Sequence, residues 1–566
     1  MAKYKYRPLN DFSSIKELIQ TSAAKAPDRA AFCFKKKGEQ CTVTYQEFYD
    51  ATKALGTALA HRGLTDGHLA CIGENSYSWL LTFLTVLQSK GVFVPIDTEL
   101  PLKDVEHILE EGDVTVCFCS KKHETRFMES ENEYPNIKYF ICFDREEDDG
   151  RWLSFDKLVE EGAKLLEEGS TQFLEETRDE YALKLISFTS GTTGLSKGVM
   201  LSEHNIVACI KHGLQVAHYY AKTLSVLPYH HTYEAIPGIL VELRENVTIC
   251  INDSRAATLK NMLLYKPEHI CLVPAFLDVF YKKVWENIEA QGKAGMIKAA
   301  IKASNVLRKI GIDMRRKLFK AIHNAFGGEL RQIVCGGAPL RAEVAKFFDD
   351  IGITVLNGYG ITECSPLVSV NQKDFNDPAT VGVILPCIEV KFDDVNEDGN
   401  GEICVKGDTV MLGYYKNEEE TKKVLEPDGW FHTGDYGAMN KKGQLLITGR
   451  KKNLIVLKNG KNIYPEEIEN YIASVPYIKE VMVYGIEENG QEVGLCAEVF
   501  LDNKAVEELG DGVDIQARLK TDIKDACAAL PVYKQISKVV VRKNEFIKTT
   551  TNKIRRQDPG NKTLDK

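Results

Sequence analysis

A loop rich in glycine and hydroxyl side chains follows a strand-like segment in the stretch ISFTSGTTGLSKGVM, residues 186–200. Glycine lets backbone N–H groups come close to a ligand, hydroxyl groups donate further hydrogen bonds, and lysine adds positive charge. The residues that offer these groups are Thr189, Ser190, Gly191, Thr192, Thr193, Gly194, Lys197 and Gly198. The spacing differs from the pattern GxxxxGK[ST], because only two residues separate Gly194 from Lys197. We therefore predict a phosphate-binding loop outside the P-loop class, with an ordinary turn between a strand and a helix as the alternative.

Length, composition and charge limit the class of protein. The chain has 566 residues, of which 44% are hydrophobic, so it can bury several cores, and its length predicts about two to four structural units. The net charge of -9, with both signs interspersed, disfavours a dedicated nucleic-acid binder, since such proteins concentrate Lys and Arg to neutralise phosphates. We expect small-molecule partners and no nucleic acid.

The spacing of the cysteines and the lengths of the apolar runs indicate the cellular compartment. The 15 cysteines are scattered and form no CxxC pair, which favours reduced core thiols over a disulfide scaffold or a zinc site. The N-terminal stretch MAKYKYRPLN has no apolar core of a signal peptide, and the longest apolar run, residues 79–87, is too short to span a bilayer. We predict a cytoplasmic protein with no transmembrane segment.

Helix and strand patterns alternate through the first part of the chain. Ser13 and Ser14 can cap a helix that runs to Ala24, and residues 45–62 carry apolar side chains at helical spacing. Short apolar runs predict buried strands at residues 92–96, 114–119, 139–143, 224–227, 247–251, 269–273, 332–335 and 354–357. Strands separated by helices imply a largely parallel sheet.

The residue pattern changes at Gly382, after which short strand-like runs separated by turn residues predict a smaller β unit. The charged segment RKKN follows Gly449, and the residues after it look like a compact α+β unit. We therefore predict an α/β protein with a large N-terminal domain of α/β subdomains plus a β unit, residues 1–449, and a small α+β C-terminal domain, residues 450–566.

Six ordered blocks of sequence resemble those of the adenylate-forming (AMP-binding) enzymes, which include acyl-CoA synthetases, luciferases and the adenylation domains of peptide synthetases. The blocks are TSGTTGLSKG at 189–198, GGAPL at 336–340, NGYGITECSP at 357–366, DGWFHTGDYG at 428–437, GRKKNLIVLKNGKNIYPEEIE at 449–469 and IKTTTNKIRR at 547–556. They keep the order of that family and extend over nearly the whole chain, so coincidence is on the order of one in a thousand or less.

The resemblance implies a role for particular residues. It implies ATP or AMP binding by Thr189, Ser190, Gly191, Thr192, Thr193, Gly194, Lys197, Gly336, Gly337, Ala338, Asn357, Gly358, Tyr359, Gly360, Thr362, Asp435, Arg450 and Lys553. Within that set Tyr359 would stack on adenine, Asp435 would accept the ribose hydroxyls, and Lys553 would be the catalytic lysine. Glu363 would be the Mg²⁺ ligand, because Mg²⁺ prefers hard oxygen atoms. Each residue taken alone also has a structural explanation: a core tyrosine, a surface carboxylate, a turn aspartate or a solvated lysine.

Two positions near Lys553 depart from the family pattern. The family often has proline where Ile547 stands and glycine where Asn552 stands. Asparagine also tolerates a positive φ angle, so we expect the turn before the lysine to be kept.

The resemblance also implies the reaction and the motion that accompanies it. The small C-terminal domain of the family is mobile and swings about a hinge, here Lys452, between adenylate formation and thioester formation. The segment LPYHHTYE, residues 227–234, resembles the lining of the acyl and thiol sites, with His231 as its histidine. A packing role for His231 is equally compatible with the sequence, since His230 is adjacent. The catalytic set implied is Lys553, Glu363, Thr189 and His231.

The acid and its acceptor are indicated by two further features. Residues 307–340 look like the long-chain fatty acid–CoA ligase branch, in which a basic helical stretch precedes GGAPL, and no phosphopantetheine attachment motif follows the C-terminal domain. We predict a fatty acid–CoA ligase that uses ATP, Mg²⁺ and coenzyme A. The alternatives are a fatty acyl-AMP or acyl-carrier-protein ligase, a luciferase-like adenylating oxygenase, and a catalytically dead acyl- or nucleotide-binding module.

A basic segment, residues 296–326, carries five Lys and three Arg against one Asp, together with apolar residues at roughly helical spacing. A solvated helical pair packed on the core is the simpler interpretation. The alternative is peripheral contact of residues 298–320 with an anionic membrane, where long-chain acids reside.

Overall fold

The structure is a computed structural model, and it describes residues 4–130, 134–190, 196–458, 461–488, 491–507, 509–510, 513–548 and 553–563. The strands, in chain order, are β1 (Ala30–Lys36), β2 (Glu39–Thr44), β3 (His68–Ile72), β4 (Val92–Ile96), β5 (Val114–Cys119), β6 (Tyr139–Cys142), β7 (Trp152–Ser154), β8 (Leu183–Ser190), β9 (Ser196–Ser202), β10 (Lys222–Ser225), β11 (Thr248–Ile251), β12 (His269–Leu272), β13 (Gln332–Cys335), β14 (Thr354–Gly360), β15 (Leu367–Val370), β16 (Val383–Ile384), β17 (Ile388–Asp393), β18 (Gly401–Gly407), β19 (Gly413–Tyr414), β20 (Phe431–Met439), β21 (Leu445–Arg450), β22 (Ile455–Val456), β23 (Asn462–Ile463), β24 (Ile478–Glu488), β25 (Gln491–Leu501) and β26 (Lys538–Val541).

The α-helices are α1 (Ile15–Lys25), α2 (Tyr45–His61), α3 (Tyr77–Leu87), α4 (Leu102–Glu111), α5 (Lys121–Glu129), α6 (Phe155–Glu167), α7 (Gln172–Glu175), α8 (Glu203–Val216), α9 (Val241–Arg244), α10 (Thr258–Tyr265), α11 (Pro274–Ala290), α12 (Ala294–Lys309), α13 (Arg315–Leu318), α14 (Lys320–Ala325), α15 (Ala342–Ile351), α16 (Glu418–Val424), α17 (Pro465–Ile472), α18 (Asn503–Glu507) and α19 (Ile515–Ala526). Short 3₁₀ turns include Thr362–Cys364 and Lys451–Asn453, and a π-helix spans Glu234–Leu240.

The chain divides into two compact units, the first Met1–Val390, Val405–Phe431 and Lys441–Leu445, and the second Lys391–Cys404, His432–Asn440 and Leu446–Lys566. The final stretch of the second unit begins at Leu446, four residues before residue 450, where the sequence predicts that the C-terminal domain begins. The division into domains 1–449 and 450–566 stays a prediction, since the second unit also contains two earlier stretches of chain.

The first unit contains two large sheets. The nine-stranded sheet has the order β16-β15-β14-β13-β12-β10-β11-β1-β2, and the eight-stranded sheet has the order β19-β9-β8-β4-β3-β5-β6-β7. The central pairs of both sheets are parallel, whereas β2, β15, β16, β9 and β19 are antiparallel to their neighbours toward the edges. The predicted largely parallel arrangement is confirmed, and parallel strands place their carboxyl ends at one edge of the sheet, where ligands bind in such folds.

Local sequence explains where the helices begin. Ser14 accepts a hydrogen bond from Glu17 N and caps α1, as predicted, and Thr44 and Glu47 form a reciprocal capping box at the start of α2. Helix α3 is apolar on nearly every side, and its residues from Trp79 to Leu87 are buried, so this apolar run forms part of a protein core. No helix in the described part of the chain is long and apolar enough to cross a membrane.

The second unit has its own core. The three-stranded sheet β24-β25-β26 packs with α17 and α19 through buried side chains that include Ile468, Ile472, Val499, Leu519 and Ile523. A four-stranded sheet, order β17-β18-β20-β21, contains the segments that carry Asp435 and Arg450. The predicted fold class, α/β with an α+β C-terminal part, is confirmed.

Candidate active site

The glycine-rich loop connects two strands rather than a strand and a helix. Strands β8 and β9 are antiparallel, with Thr189 opposite Lys197, and helix α8 begins only after Ser202. The β-favouring run Val199–Leu201 extends the strand pairing, so the alternative of a simple strand-to-helix turn is wrong. Gly191, Thr192, Thr193 and Gly194 lie outside the described residues, and their phosphate contacts stay predictions.

Lys197 already has an anionic partner. Its ammonium forms an ion pair with Glu420 on α16 and lies 5.3 Å from the ring centroid of Tyr414. Hydrogen bonds from Lys197 and from Lys423, whose Nζ is 2.5 Å from Glu420 Oε1, lower the pKa of Glu420 to about 2. The lysine predicted to bind phosphate is therefore held by a carboxylate that a phosphate group can replace.

Glu363 lies in the 3₁₀ turn Thr362–Cys364, where Tyr414 donates a hydrogen bond from its hydroxyl to Oε1 over 3.0 Å. The backbone N–H of Met411 donates to the carbonyl of Glu363 over 2.9 Å. A carboxylate that accepts a bond from a neutral phenol keeps lone pairs for a cation, and Mg²⁺ commonly takes one or two carboxylates with phosphate and water completing its shell. Glu363 therefore fits the Mg²⁺ ligand that the family implies.

Tyr414 and Glu420 were not predicted as site residues. Tyr414 contacts both Glu363 and Lys197, and Glu420 pairs with the same lysine. More than 200 residues separate Lys197 from Glu420 along the chain, and their residue types carry no motif that would have indicated the contact.

The segments predicted to bind adenine meet at the carboxyl ends of β13 and β14. Cys335 is the register partner of Asn357, so Gly336 follows one strand beside Gly358 on the other. A Cβ atom at Gly336 would lie 3.3 Å from the carbonyl oxygen of Gly358, so a side chain here would be tightly packed against the neighbouring strand. Backbone groups of residues 336–338 and 357–360 are thus gathered at the edge where ligands bind in doubly wound sheets.

Tyr359 lies on β14 in this region and is 9% exposed. Its structural alternative, a core tyrosine, therefore stays open beside the predicted contact with adenine. Asn357 donates from its side-chain amide to the carbonyl of Thr380 over 3.2 Å, and Thr362 begins the turn that carries Glu363.

The two adjacent histidines occupy different environments. His230 Nε2 lies 3.6 Å from Asp97 Oδ2, and burial, aided by the charge of Arg255, lowers the pKa of His230 to about 4. His230 is therefore neutral at pH 7. The ring of His231 packs on that of His230 with centroids 4.1 Å apart. This packing leaves the catalytic assignment of His231 a prediction.

A buried carboxyl group follows this pair. Ser225 donates to Glu234 Oε1 over 2.5 Å, and burial raises the pKa of Glu234 to about 8. Glu234 begins the π-helix Glu234–Leu240, a form that is rare and often marks functional segments. Glu234 was not predicted as a site residue, although it ends the segment LPYHHTYE.

The second unit joins four predicted residues. Arg450 Nε lies 2.8 Å from Asp435 Oδ1, and the Asp435 side chain is 4% exposed. Desolvation and the charge of Arg450 lower the pKa of Lys553, whereas Asp435 opposes this change. The pKa of Lys452 is lowered by the same causes. Both lysines remain exposed, so solvent moderates these effects.

A buried asparagine positions the chain on both sides of Lys553 through hydrogen bonds. Lys548 and Ile554 form an antiparallel bridge, and Arg555 N donates to the carbonyl of Ile547. Asn561, which is fully buried, accepts from Ile547 N over 2.7 Å and donates to the carbonyls of Ile547 and Arg555 over 2.8 and 2.9 Å. Asn561 thus positions the segment that carries Lys553, a role that its residue type alone did not indicate.

A family model for AMP-binding enzymes matches residues 19–415, and a model for their C-terminal domain matches residues 452–561. Since the first match alone covers most of the chain and contains both the glycine-rich hairpin and the adenine segments, this protein belongs to the AMP-binding enzyme family. The resemblance stated from the sequence is confirmed.

Its relatives within the family are similar over most of their length. Long-chain-fatty-acid–CoA ligase 5 of Rattus norvegicus is 27% identical over 561 residues, covering 94% of this chain and 81% of the relative. Long-chain-fatty-acid–CoA ligase 6 of the same organism is 30% identical over 480 residues, covering 78% and 67%. The predicted long-chain fatty acid–CoA ligase branch is confirmed by these relatives.

The solved structure of the anthranilate CoA ligase AuaEII in complex with anthranoyl-AMP superposes with a TM-score of 0.75 at 17% identity, covering 97% of this chain and 96% of that one. The two chains share the fold.

Proposed function

We propose that this enzyme is an ATP-dependent acyl-CoA synthetase for long-chain fatty acids. It activates the acid as an acyl-adenylate with release of pyrophosphate, then transfers the acyl group to the thiol of coenzyme A with release of AMP. The observation that carries the proposal is the grouping of Lys553, Arg450 and Asp435, which places cations beside a carboxylate suited to ribose hydroxyls. The names of the two rat relatives and the anthranoyl-AMP bound to the anthranilate ligase support the same chemistry.

The first step requires activation because a carboxylate is a poor electrophile. A carboxylate oxygen attacks the α-phosphorus of ATP, the bond from that phosphorus to the bridging oxygen breaks, and pyrophosphate carries away the electron pair. A protein accelerates such a step mainly by positioning the reactants and neutralising charge. Lys553 would neutralise charge at the α-phosphate and the incoming carboxylate, and Lys197 at the outer phosphates.

Binding of ATP would exchange one partner of Lys197 for another. The ammonium leaves Glu420 for a phosphate oxygen, while Tyr414 keeps its hydrogen bond to Glu363. Glu363 would hold Mg²⁺, which when bound shields the negative charge of the phosphates. Tyr414 would orient the carboxylate of Glu363 for that contact.

The second step brings a thiol to the adenylate carbonyl. The thiol sulfur attacks the carbonyl carbon, the bond from that carbon to the AMP oxygen breaks, and the thiol proton passes to solvent. Lys452 would be the hinge about which the C-terminal domain moves between the two steps.

A pyrophosphate-release assay over saturated acids of graded chain length, each with and without coenzyme A, tests the proposal. We expect acid-dependent release that is highest for long chains and a CoA thioester only when CoA is present. Pyrophosphate release without any acid, or adenylate that never yields a CoA thioester, would contradict it. The second outcome would favour the acyl-AMP or acyl-carrier-protein alternative.

We also propose a contact with anionic membranes, through a part of the basic segment that differs from the sequence-based set. Phe319, Ile322 and Phe326 are buried in the core, and Arg308 and Arg315 pair with Asp349. Exposed apolar side chains on this segment include Met296, Val306, Ile310, Ile312 and Leu318, and its exposed cations include Lys302, Lys309, Lys317 and Lys320. Within the described residues these four lysines form no ion pair, so their charge is available to anionic lipid at about 1 kcal/mol each.

Co-sedimentation with vesicles containing phosphatidylserine, at low and high salt, tests this contact. A variant with Gln at Lys302, Lys309, Lys317 and Lys320 is expected to lose binding at low salt. A matched control with Gln at the exposed Lys103, Lys122, Lys164 and Lys260 should bind like the parent. Equal binding by both variants would rule this surface out.

A further inference from the structure

Two cysteines occupy neighbouring positions in the nine-stranded sheet. Cys33 on β1 and Cys250 on β11 are register partners in a parallel pair of strands. Both side chains lie on the same face, because Cys250 belongs to the core cluster of that sheet and Cys33 packs against the same cluster. The two thiols are therefore neighbours across this pair of strands.

The two thiols differ in their access to solvent. Cys33 is partly exposed, and Cys250 is 1% exposed. The edge strand β2 lies on the outer side of β1 in the sheet, and its Thr42 Oγ1 lies 3.8 Å from Cys33 Sγ. A small reagent can therefore reach Cys33 but not its partner.

The surroundings favour a thiolate at Cys33. The neighbouring Cys250 thiol, with smaller effects from Thr42 and the charge of Lys222, lowers the pKa of Cys33 to about 6 despite partial burial. The neighbouring Cys33 and burial raise the pKa of Cys250. Cys119 and Cys142 form a comparable pair with sulfur atoms 3.6 Å apart, but both are buried, so a reagent cannot reach them.

We propose that Cys33 and Cys250 form a dithiol–disulfide site that reacts with low-molecular-weight disulfides, with Cys33 as the attacking thiol and Cys250 as the resolving thiol. The chemistry requires one accessible thiolate, one protected thiol, and strands close enough to be bridged. Neighbouring strands are about 4.8 Å apart, which lies within the Cα separation of about 4.4–6.8 Å that a disulfide spans.

The exchange is balanced in two steps. The Cys33 thiolate attacks one sulfur of the small disulfide, its S–S bond breaks, and a small thiolate leaves while a mixed disulfide forms at Cys33. Cys250 then attacks the Cys33 sulfur, its proton passes to the second departing thiolate, and the intramolecular disulfide forms. Two protein thiols are oxidised, and one small disulfide is reduced to two thiols.

The full-length protein treated with 2-hydroxyethyl disulfide and mapped by mass spectrometry of its peptides tests this site. We expect a Cys33–Cys250 disulfide in the parent, a persistent mixed disulfide at Cys33 in Cys250→Ser, and neither product in Cys33→Ser. The control Cys41→Ser, which removes a partly exposed thiol on the neighbouring strand β2, should behave like the parent. A mixed disulfide at Cys33 that never resolves in the parent would overturn the proposal.

A second measurement does not depend on disulfide formation or on variants. The rates at which iodoacetamide alkylates Cys33 and Cys41 can be compared in the parent as a function of pH. At pH 6 we expect Cys33 to react about tenfold faster, since its larger thiolate fraction outweighs the lower nucleophilicity of a less basic thiolate. Equal rates at pH 6 would show that Cys33 is an ordinary thiol and would also overturn the proposal.

Discussion

Arg450 Nε lies 2.8 Å from Asp435 Oδ1, and this contact places an exposed guanidinium against a carboxylate that is almost entirely buried. The backbone N–H of Asp435 also donates to Thr433 Oγ1 over 3.0 Å, and Thr433 donates to the carbonyl of Ile403 over 2.7 Å. The carboxylate is therefore fixed before any ligand arrives, which lowers the entropic cost of binding ribose hydroxyls.

Asp435→Asn should weaken ATP binding, because an amide accepts hydrogen bonds less strongly than a carboxylate and removes the charge that faces Arg450. Hydrogen bonds to charged groups contribute about 1.5–3 kcal/mol, so the KM for ATP should rise roughly 10- to 100-fold. Acid-dependent pyrophosphate release measures this change. Asp398→Asn, at an exposed turn of the same unit, should leave the KM unchanged. An unaltered KM in Asp435→Asn would contradict the ribose assignment.

Lys553→Ala should block adenylate formation by about 100-fold or more while sparing thioester formation from supplied acyl-adenylate, because its charge is needed at the α-phosphate only. The pH dependence supplies a second readout. Since the pKa of Lys553 is lowered from the ordinary lysine value, adenylation should decline as alkaline pH removes the proton. Lys553→Arg should lose that decline, because arginine stays charged. Equal losses in both half-reactions for Lys553→Ala would argue against the assignment.

Lys452→Pro should show the opposite pattern. Proline fixes φ at the proposed hinge, so thioester formation should fall while adenylate formation continues. Single-turnover assays of each half-reaction measure the difference, and Lys452→Ala, which removes the side chain but not the backbone freedom, is the matched control. Equal loss of both half-reactions in the proline variant would count against a hinge at this residue.

Glu420→Gln should strengthen nucleotide binding. The ion pair that ATP must displace from Lys197 is weakened, and because exposed ion pairs are weak, the KM for ATP should fall by a few-fold at most. Glu418→Gln is the matched control, because Glu418 lies on the same helix and pairs only with Lys422 among the described residues. A higher KM in Glu420→Gln than in Glu418→Gln would show that Glu420 assists binding instead of competing with it.

Glu234→Gln should change how stability depends on pH. The folded-state pKa of Glu234 is about 8 and lies above the unfolded value near 4.5, so the folded state retains a proton that the unfolded state has lost. The free energy of unfolding of the parent should therefore decrease as pH rises from about 4.5 to 8, and this contribution is of order a few kcal/mol. Urea unfolding of both proteins between pH 5 and 9 should show the variant gaining stability relative to the parent. Parallel pH profiles would contradict burial of a neutral Glu234.

Sequence was sufficient where structure follows from local patterns. The strands predicted at residues 92–96, 114–119 and 332–335 coincide with β4, β5 and β13, because apolar runs bounded by turn residues leave few alternatives. The alternative of a turn between a strand and a helix is wrong, because the β-favouring residues after Lys197 pair with β8 as a strand through residue 202.

Sequence was insufficient where distant residues meet. The contacts of Glu420 with Lys197 and of Asn561 with Ile547 depend on tertiary packing, and neither Glu nor Asn was distinctive at its position. The basic segment shows the same limit, because its periodicity did not separate the buried Phe319 and Phe326 from the exposed Val306 and Ile310. The positive charge of the basic segment, counted from the sequence, likewise included Arg308 and Arg315. In the structure both form ion pairs with Asp349, which neutralises their charge.

The dependence of the Lys553 segment on Asn561 has a consequence for biosynthesis. Chains emerge from the ribosome with their N-terminal parts first, and domains fold in that order. The three hydrogen bonds made by Asn561 join backbone groups that precede it along the chain. The segment that carries Lys553 therefore cannot form these bonds until residue 561 has left the exit tunnel. A nascent chain that already holds the folded first unit would therefore still lack an ordered Lys553 segment, and the first chemical turnover would be delayed until Asn561 has emerged.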